Sequence, residues 1–238
     1  MKILIAIIAY NEEQNIKKTI EDLQKNNFGY DIVLIDNGSS DRTAEIAHSL
    51  NIPVIRHWIN SGSSSGTLMT YFNYAFYKNY DILCQFDGDG QHLASELKKI
   101  IKPVENGEAD YVIGSRFLEK AGFQSYAFRR MGITIFSLID SWIIKQKVTD
   151  ITSGARAYSK KVIDFFAKHH RHEVYDTSQL LLISHFAGAI IKEVPIVMKA
   201  REHGESEFNF FSIIQFPIKG IINIVGTVLQ KQQIKSRS

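Results

Sequence analysis

Residues 81–92 read DILCQFDGDGQH, and the fold turns on how that stretch is read. The run 82–86 is largely apolar and carries no charge, which suits a strand buried on both faces, and it leads directly into Asp87. One glycine separates Asp87 from Asp89, so both carboxylates can approach a single hard cation. Gly88 and Gly90 let the backbone turn tightly and let a ligand come close. Mg²⁺ or Mn²⁺ held there would complete its shell with substrate phosphates and neutralise charge on a departing diphosphate. An Asp-x-Asp pair alone is equally well a solvated turn; its position at a strand end is what points to a site.

Working outward, Ile3–Ala9 is a continuous aliphatic run and reads as another buried strand. Asn11 then offers an N-cap for a helix over 11–24 with Ile16, Ile20 and Leu23 on one stripe. A strand over 32–35 ends at Asp36, Asp41 caps a helix over 42–50, and a short strand follows at 54–55. The glycine- and serine-rich loop 60–66 opens a helix to about residue 78. Strand and helix alternate through about residue 114, which predicts an α/β fold with a mostly parallel sheet covered by helices. Three polar clusters follow three strands: Tyr10-Asn11-Glu12, Asp36-Asn37-Gly38 and Asp87-Gly88-Asp89. Beyond the carboxyl ends of parallel strands they share one crevice.

The bulk composition bounds the function. The 238 residues are 45% hydrophobic and 22% charged, enough for a packed core. Of the net charge of +3, Lys231, Lys235 and Arg237 in the last eight residues account for all, leaving 3 − 3 = 0 for the body. No basic face for nucleic acid is indicated. The basic tail suits an anionic membrane surface or a frayed terminus. The single cysteine, Cys84, excludes a disulfide framework and reads as a buried strand thiol. The opening apolar run spans about eight residues, too short for a signal peptide, so a cytoplasmic protein is expected.

AYNEEQNI, VLIDNGSSDRT, FDGDGQH, GSRF and TDITSGARAYSKK together resemble the ordered motifs of family 2 glycosyltransferases, which have the GT-A fold. The similarity is closest to the polyprenyl-phosphate members that resemble dolichol-phosphate mannose synthase. It covers about residues 2–207, so 1–207 is expected to form the transferase domain. Residues 208–238 resemble a variable membrane-proximal tail. The loop NSGSSSG departs from the family's usual glycine- and alanine-rich version.

The resemblance implies roles by position. Ala9, Tyr10, Asn11 and Glu12 border the nucleotide, with Asp36 bonding base or ribose, Gly66 on the donor loop, and Asp87 and Gly88 on the nucleotide side. Asp87, Asp89 and Gln91 hold the metal; His92 either joins them or caps the next helix. Arg116 and Arg130, with Arg129 beside it, bind phosphates, as guanidinium geometry suits. Ser153 and Gly154 turn near the sugar, and Asp150 fixes their loop. Arg156 is either a site cation or the ion-pair partner of Asp150. Arg201 and Ser206 close over the diphosphate about Gly204. Glu173 or Asp176 supplies a base if the acceptor is a hydroxyl, or both are surface acids before a helix over 178–187.

The implied reaction is inverting transfer from a UDP-, GDP- or dTDP-sugar to a polyprenyl phosphate, or alternatively to a growing cell-surface glycan. Segments 210–229 and 131–145 carry apolar faces interrupted by polar residues, as in helices lying in a membrane interface. Peripheral attachment to the inner membrane face follows, with a homo-oligomer or a small membrane-protein partner as the other use of such faces. A nucleotidyltransferase would carry a basic glycine-rich loop after the first strand, where AYNEEQNI is acidic. A non-catalytic sugar-nucleotide scaffold could keep the fold without the metal pair.

Overall fold

The computed structural model describes all residues except 27–28, 62–64, 121, 124–126, 170–175, 202, 204–209 and 238, with backbone alone at 65, 127–129 and 210–217. Glu173, Gly204, Ser206 and residues 62–64 of the NSGSSSG loop lie outside the described residues.

Among the described residues seven strands form one sheet: β1 (Ile3–Ala9), β2 (Asp31–Asp36), β3 (Val54–Arg56), β4 (Ile82–Asp87), β5 (Tyr111–Ser115), β6 (Arg156–Ser159) and β7 (Ile191–Pro195). Their spatial order is β3-β2-β1-β4-β6-β5-β7. All pairs are parallel except those of β6, which runs antiparallel between β4 and β5. Every residue of β1 is buried, because helices cover both faces of the sheet at its centre. One face is covered by α1 (Ile16–Lys25), α2 (Thr43–Ser49) and α4 (Leu97–Glu105), whose Ile16, Ile20, Leu23, Ala47, Ile100 and Ile101 join one core. The other carries α3 (Ser65–Tyr77), α5 (Ala127–Ile144), α6 (Lys160–His169), α7 (Thr177–Phe186), α8 (Phe210–Leu229) and α9 (Lys231–Arg237).

The α/β architecture read from the alternation holds, with three corrections. Asn11 does not cap α1: it sits at φ 52°, and the helix begins at Ile16 after a turn in which the Glu12 carbonyl accepts the Asn15 and Ile16 amides. Asparagine tolerates that left-handed geometry, so the polar residue serves the turn rather than the cap. Asp41 accepts the Thr43 amide and hydroxyl one residue ahead of the formal N-cap. The reversal of β6 lies beyond the alternating region, where periodicity has nothing to say about strand direction.

The β4–β6 register decides what faces the site. Cys84 pairs with Ala157 and Gln85 with Arg156. Two residues further along the same register, Gly154 lies opposite Asp87.

Asp140 on α5 is a buried carboxyl that receives the Ser178 hydroxyl from α7 at 2.5 Å, while its other oxygen has no hydrogen-bond partner. Burial, reinforced by the charge of Asp176 and opposed by Ser178, pushes its pKa up to about 7. A folded-state value above the unfolded one means stability is full below about pH 4 and falls as pH rises through 7. Asp140→Asn is therefore expected to stabilise the protein above pH 7 by roughly 2–4 kcal/mol and to leave it unchanged near pH 4, as denaturant titrations at the two pH values would read. Equal effects at both would contradict the assignment.

Candidate active site

The candidate site lies at the carboxyl ends of β1, β2 and β4. After β1, the Asn11 amide donates to Ser39 Oγ at 2.9 Å and its side chain accepts the Ser40 amide at 2.8 Å. The Glu12 amide donates to Thr43 Oγ1 at 2.8 Å. The first two polar clusters are thus knitted into one rim. The buried Glu12 carboxylate receives Asn15 Nδ2 at 2.6 Å and pairs with Arg201, whose Nε donates to the His203 carbonyl. Burial raises the Glu12 pKa, against the pull of Asn15 and Arg201. Arg201 therefore ties the segment after β7 down over the β1 end.

Asp36, fully buried, accepts the Ser39 amide at 3.1 Å, and Arg56 Nε lies 3.1 Å from its second oxygen. That oxygen is buried and meets no donor in hydrogen-bonding geometry, so the charge of Arg56 is what offsets it. Asn37 binds Asn60 and Ser61 and anchors the donor loop, and Gly38, at φ 78°, packs so close to the Ile59 backbone that a Cβ would approach it to 2.6 Å. Gly66, in the first turn of α3, lies against Ser61 of that loop.

Gly88 donates to the Ile8 carbonyl at 2.8 Å and lies against Ala9, where a Cβ would approach the alanine methyl to 2.9 Å. That contact fixes where Asp87 and Asp89 leave the sheet. The buried His92 ring stands behind Asp87, Nε2 3.3 Å from Oδ2, with Phe86 at its edge. His92 does not cap the helical turn that follows, whose N-cap is Leu93; its ring stands against Asp87. Burial works to raise the Asp87 pKa, but His92, Arg156 and Arg116 outweigh it and hold the carboxyl below its usual range. Asp89 goes the other way, raised by burial and by the charge of Asp87. Two close carboxylates of which one resists ionisation fit a hard divalent cation, which would relieve both burial and repulsion. Gln91 donates its amide to Asp89 at 3.0 Å and its side-chain nitrogen to the Lys199 carbonyl at 3.2 Å, which leaves its amide oxygen as the candidate ligand. Among the described residues no three His, Cys, Asp or Glu side chains form a ready-made metal cage. A cation here would depend on substrate oxygens.

On the far side, Arg116 at the end of β5 is paired to Asp150, Nε to Oδ2 and Nη2 to Oδ1 both at 2.7 Å, and also reaches Thr152 at 2.9 Å. Glu193 receives the amides of Thr149 and Asp150. Asp150 does fix its loop as expected, but its partner is Arg116 and not Arg156. Arg156 is 1% exposed and bonds protein groups, which corrects its reading as a cation lining the acceptor cleft. Ser153 is buried and accepts the Ala155 amide, while Gly154 lies against Asp87. Arg130 is exposed in the first turn of α5. Asp176 is the N-cap of α7: one oxygen accepts the Gln179 amide at 2.8 Å and the other Asn223 Nδ2 at 2.8 Å. Of its two open readings, the helix-start role is the one seen.

The sequence reading missed Arg56, Ser39, Thr43 and Glu193. Each acts across strands, and the only signal was a charged or hydroxyl residue next to an apolar run.

Such a sheet, with a carboxylate pair at the end of β4 beside the reversed β6, is the arrangement of the GT-A fold. The pattern of Glycosyl transferase family 2 matches residues 4–166, and the chain belongs to that family. It is 32% identical over 213 residues to UDP-N-acetylglucosamine--dolichyl-phosphate N-acetylglucosaminyltransferase of Methanococcus voltae, covering 82% of this chain and 84% of that one. Polyprenol monophosphomannose synthase of Mycolicibacterium smegmatis is 27% identical over 233 residues, covering 91% and 87%. Glucosyl-3-phosphoglycerate synthase of Mycobacterium tuberculosis, solved with Mn²⁺, UDP-glucose and phosphoglyceric acid, superposes with a TM-score of 0.71 at 17% identity, over 95% of this chain and 79% of that one, and shows the same fold. The chain is a glycosyltransferase.

Proposed function

We propose that the chain moves a sugar from a nucleoside-diphosphate sugar to a polyprenyl phosphate at the inner face of the cell membrane. The observation that carries the acceptor is α5. Arg130 is exposed in its first turn, and Met131, Ile135, Leu138 and Trp142 then follow as an exposed apolar stripe at spacings of 4, 3 and 4 residues. A stripe of that length runs about 16 Å at 1.5 Å per residue, suited to an isoprenoid chain whose phosphate sits at the arginine. α8 lies beside it, Gly220 against Phe136, and adds exposed Ile218, Ile221, Ile222 and Val225. No helix among the described residues is long and apolar enough to cross a membrane. The two helices suit an interfacial position, with Lys231, Lys235 and Arg237 nearby in sequence.

In this reading Asp36 and the rim at Tyr10 to Glu12 hold the nucleoside, and Arg201 closes over the diphosphate side. Asp87 and Asp89, with Gln91, would hold Mg²⁺ or Mn²⁺, which when bound supplies Lewis-acid neutralisation of the departing diphosphate. The acceptor phosphate oxygen is already ionised and attacks the anomeric carbon from the face opposite the leaving diphosphate, inverting it. No general base is required, in keeping with Asp176 being spent on the α7 cap. The glycan acceptor is the second reading, and Glu173 is its remaining candidate base.

Two measurements test this. Calorimetry with UDP, GDP and dTDP should show one of them binding only with Mn²⁺ or Mg²⁺ present; binding indifferent to chelator contradicts the metal assignment. Leu138→Ser with Trp142→Ser is expected to weaken partitioning onto anionic vesicles about a hundredfold or more while leaving nucleotide affinity unchanged, since each buried apolar side chain is worth roughly 1.5–3 kcal/mol. Vesicle binding unaffected by the pair would contradict the membrane face.

A further inference from the structure

Arg156 has no part in the chemistry above, yet its placement is costly. Its guanidinium is buried within the sheet and forms no ion pair with a carboxylate among the described residues. An isolated buried cation is tolerated only when its donors are met, and here they are met by oxygens of the chain itself. Nε donates to the Ser153 carbonyl at 2.7 Å, Nη2 to the Ile151 carbonyl, and Nη1 to the Tyr111 hydroxyl at 2.6 Å. Beside it Tyr71 and Tyr158 both donate to Gln85 Oε1, so the polar groups around the guanidinium are themselves tied. Two of its three bonds therefore end on the loop that leads from Asp150 back into β6. The residue after Ser153 in that loop is Gly154, where an added Cβ would overlap the Asp87 carboxylate.

We propose that Arg156 is a positioning residue for sugar transfer: from behind the crevice it clamps the Ile151 and Ser153 carbonyls and so sets Gly154 as the wall against which the Asp87 carboxylate is held. The assignment rests on Asp87 serving the donor diphosphate and its cation, as proposed above. Gly154 has to be glycine because the wall and the carboxylate share the same space. Arginine is suited at 156 because one planar, permanently charged group reaches two carbonyls and a hydroxyl at fixed angles. Loosening the clamp lets the carboxylate drift, and cation affinity is sensitive to groups that orient its ligands, typically by about 10–100-fold.

The test measures binding of Mn²⁺ with whichever of UDP, GDP and dTDP the wild type binds most tightly, in Arg156→Met, Arg156→Lys, Gly154→Ala and the Arg156→Met/Gly154→Ala double variant. Metal-dependent affinity should fall about tenfold or more in Arg156→Met and in Gly154→Ala, and Arg156→Lys should recover part of it. The double variant should lose no more than the worse single one, because both act through the same carboxylate. KM for polyprenyl phosphate should stay unchanged. If Arg156→Met does not fold, Tyr111→Phe removes one partner of the guanidinium and should shift Mn²⁺ affinity in the same direction by less. A folded Arg156→Met with wild-type Mn²⁺ affinity overturns the proposal, as does a rise confined to the acceptor KM, or losses that add in the double variant. Asp89→Ala separates the two levels: if it leaves binding intact the metal assignment itself is wrong, whereas loss in Asp89→Ala with none in Arg156→Met condemns the clamp alone.

Discussion

Asp89→Ala will lower sugar transfer by about a thousandfold, ~4 kcal/mol of transition-state stabilisation, while the protein unfolds at the same temperature or a higher one. The two halves of that result come from the same geometry. Asp89 is half-buried near Asp87, and desolvation together with that neighbouring charge raises its pKa. Without a cation the pair is therefore a source of strain in the folded state, and removing one carboxylate relieves it. With donor bound, the same carboxylate is needed to hold the ion that stabilises the leaving diphosphate. Greater stability with lost activity is the expected signature of a group kept for function. Thermal melts with and without Mn²⁺, beside turnover measurements, check it. A variant that is both inactive and markedly less stable would mean Asp89 supports the fold instead.

The second large effect lies on the opposite wall. Asp150 is fully buried and its carboxylate takes two guanidinium bonds and the amide from Arg116, itself 6% exposed. Asp150→Ala leaves that cation buried without its counter-charge and is expected to cost about 3–5 kcal/mol in folding stability, read by urea denaturation. Arg116→Met with Asp150→Leu should recover much of the loss, because a buried ion pair is hard to break by halves but can be replaced whole. Sugar transfer should not recover in the double variant, since the loop carrying Ser153 and Gly154 hangs from that pair. A single variant as stable as the wild type would show that solvent reaches Arg116.

The fold was legible wherever one strand's neighbours were set by local alternation. Ile3–Ala9, the 82–86 run and the stripe Ile16, Ile20, Leu23 all sit where their periodicity placed them. Asp36 and Asp87 also end their strands, with Asp89 two residues beyond, and parallel β-α units bring those ends to one side of the sheet. What the sequence could not express was pairing between distant segments. Asp150 has two arginines within reach in sequence terms, and only the reversed β6 turns Arg156 inward and leaves Arg116 as the partner. Asn11 and Asp176 show the complementary ambiguity: the same short polar residues serve caps, turns and catalysis, and the backbone angle or a third-helix contact such as Asn223 decides among them.

The most direct test of the central claim is to incubate the purified chain with UDP-, GDP- and dTDP-sugars, Mn²⁺ or Mg²⁺ and undecaprenyl phosphate in detergent, and to separate lipid-linked sugar from free sugar. One donor should yield a lipid-linked product with release of its nucleoside diphosphate, abolished by chelator and by Asp89→Ala. Transfer to a soluble oligosaccharide with none to the lipid phosphate would contradict the account.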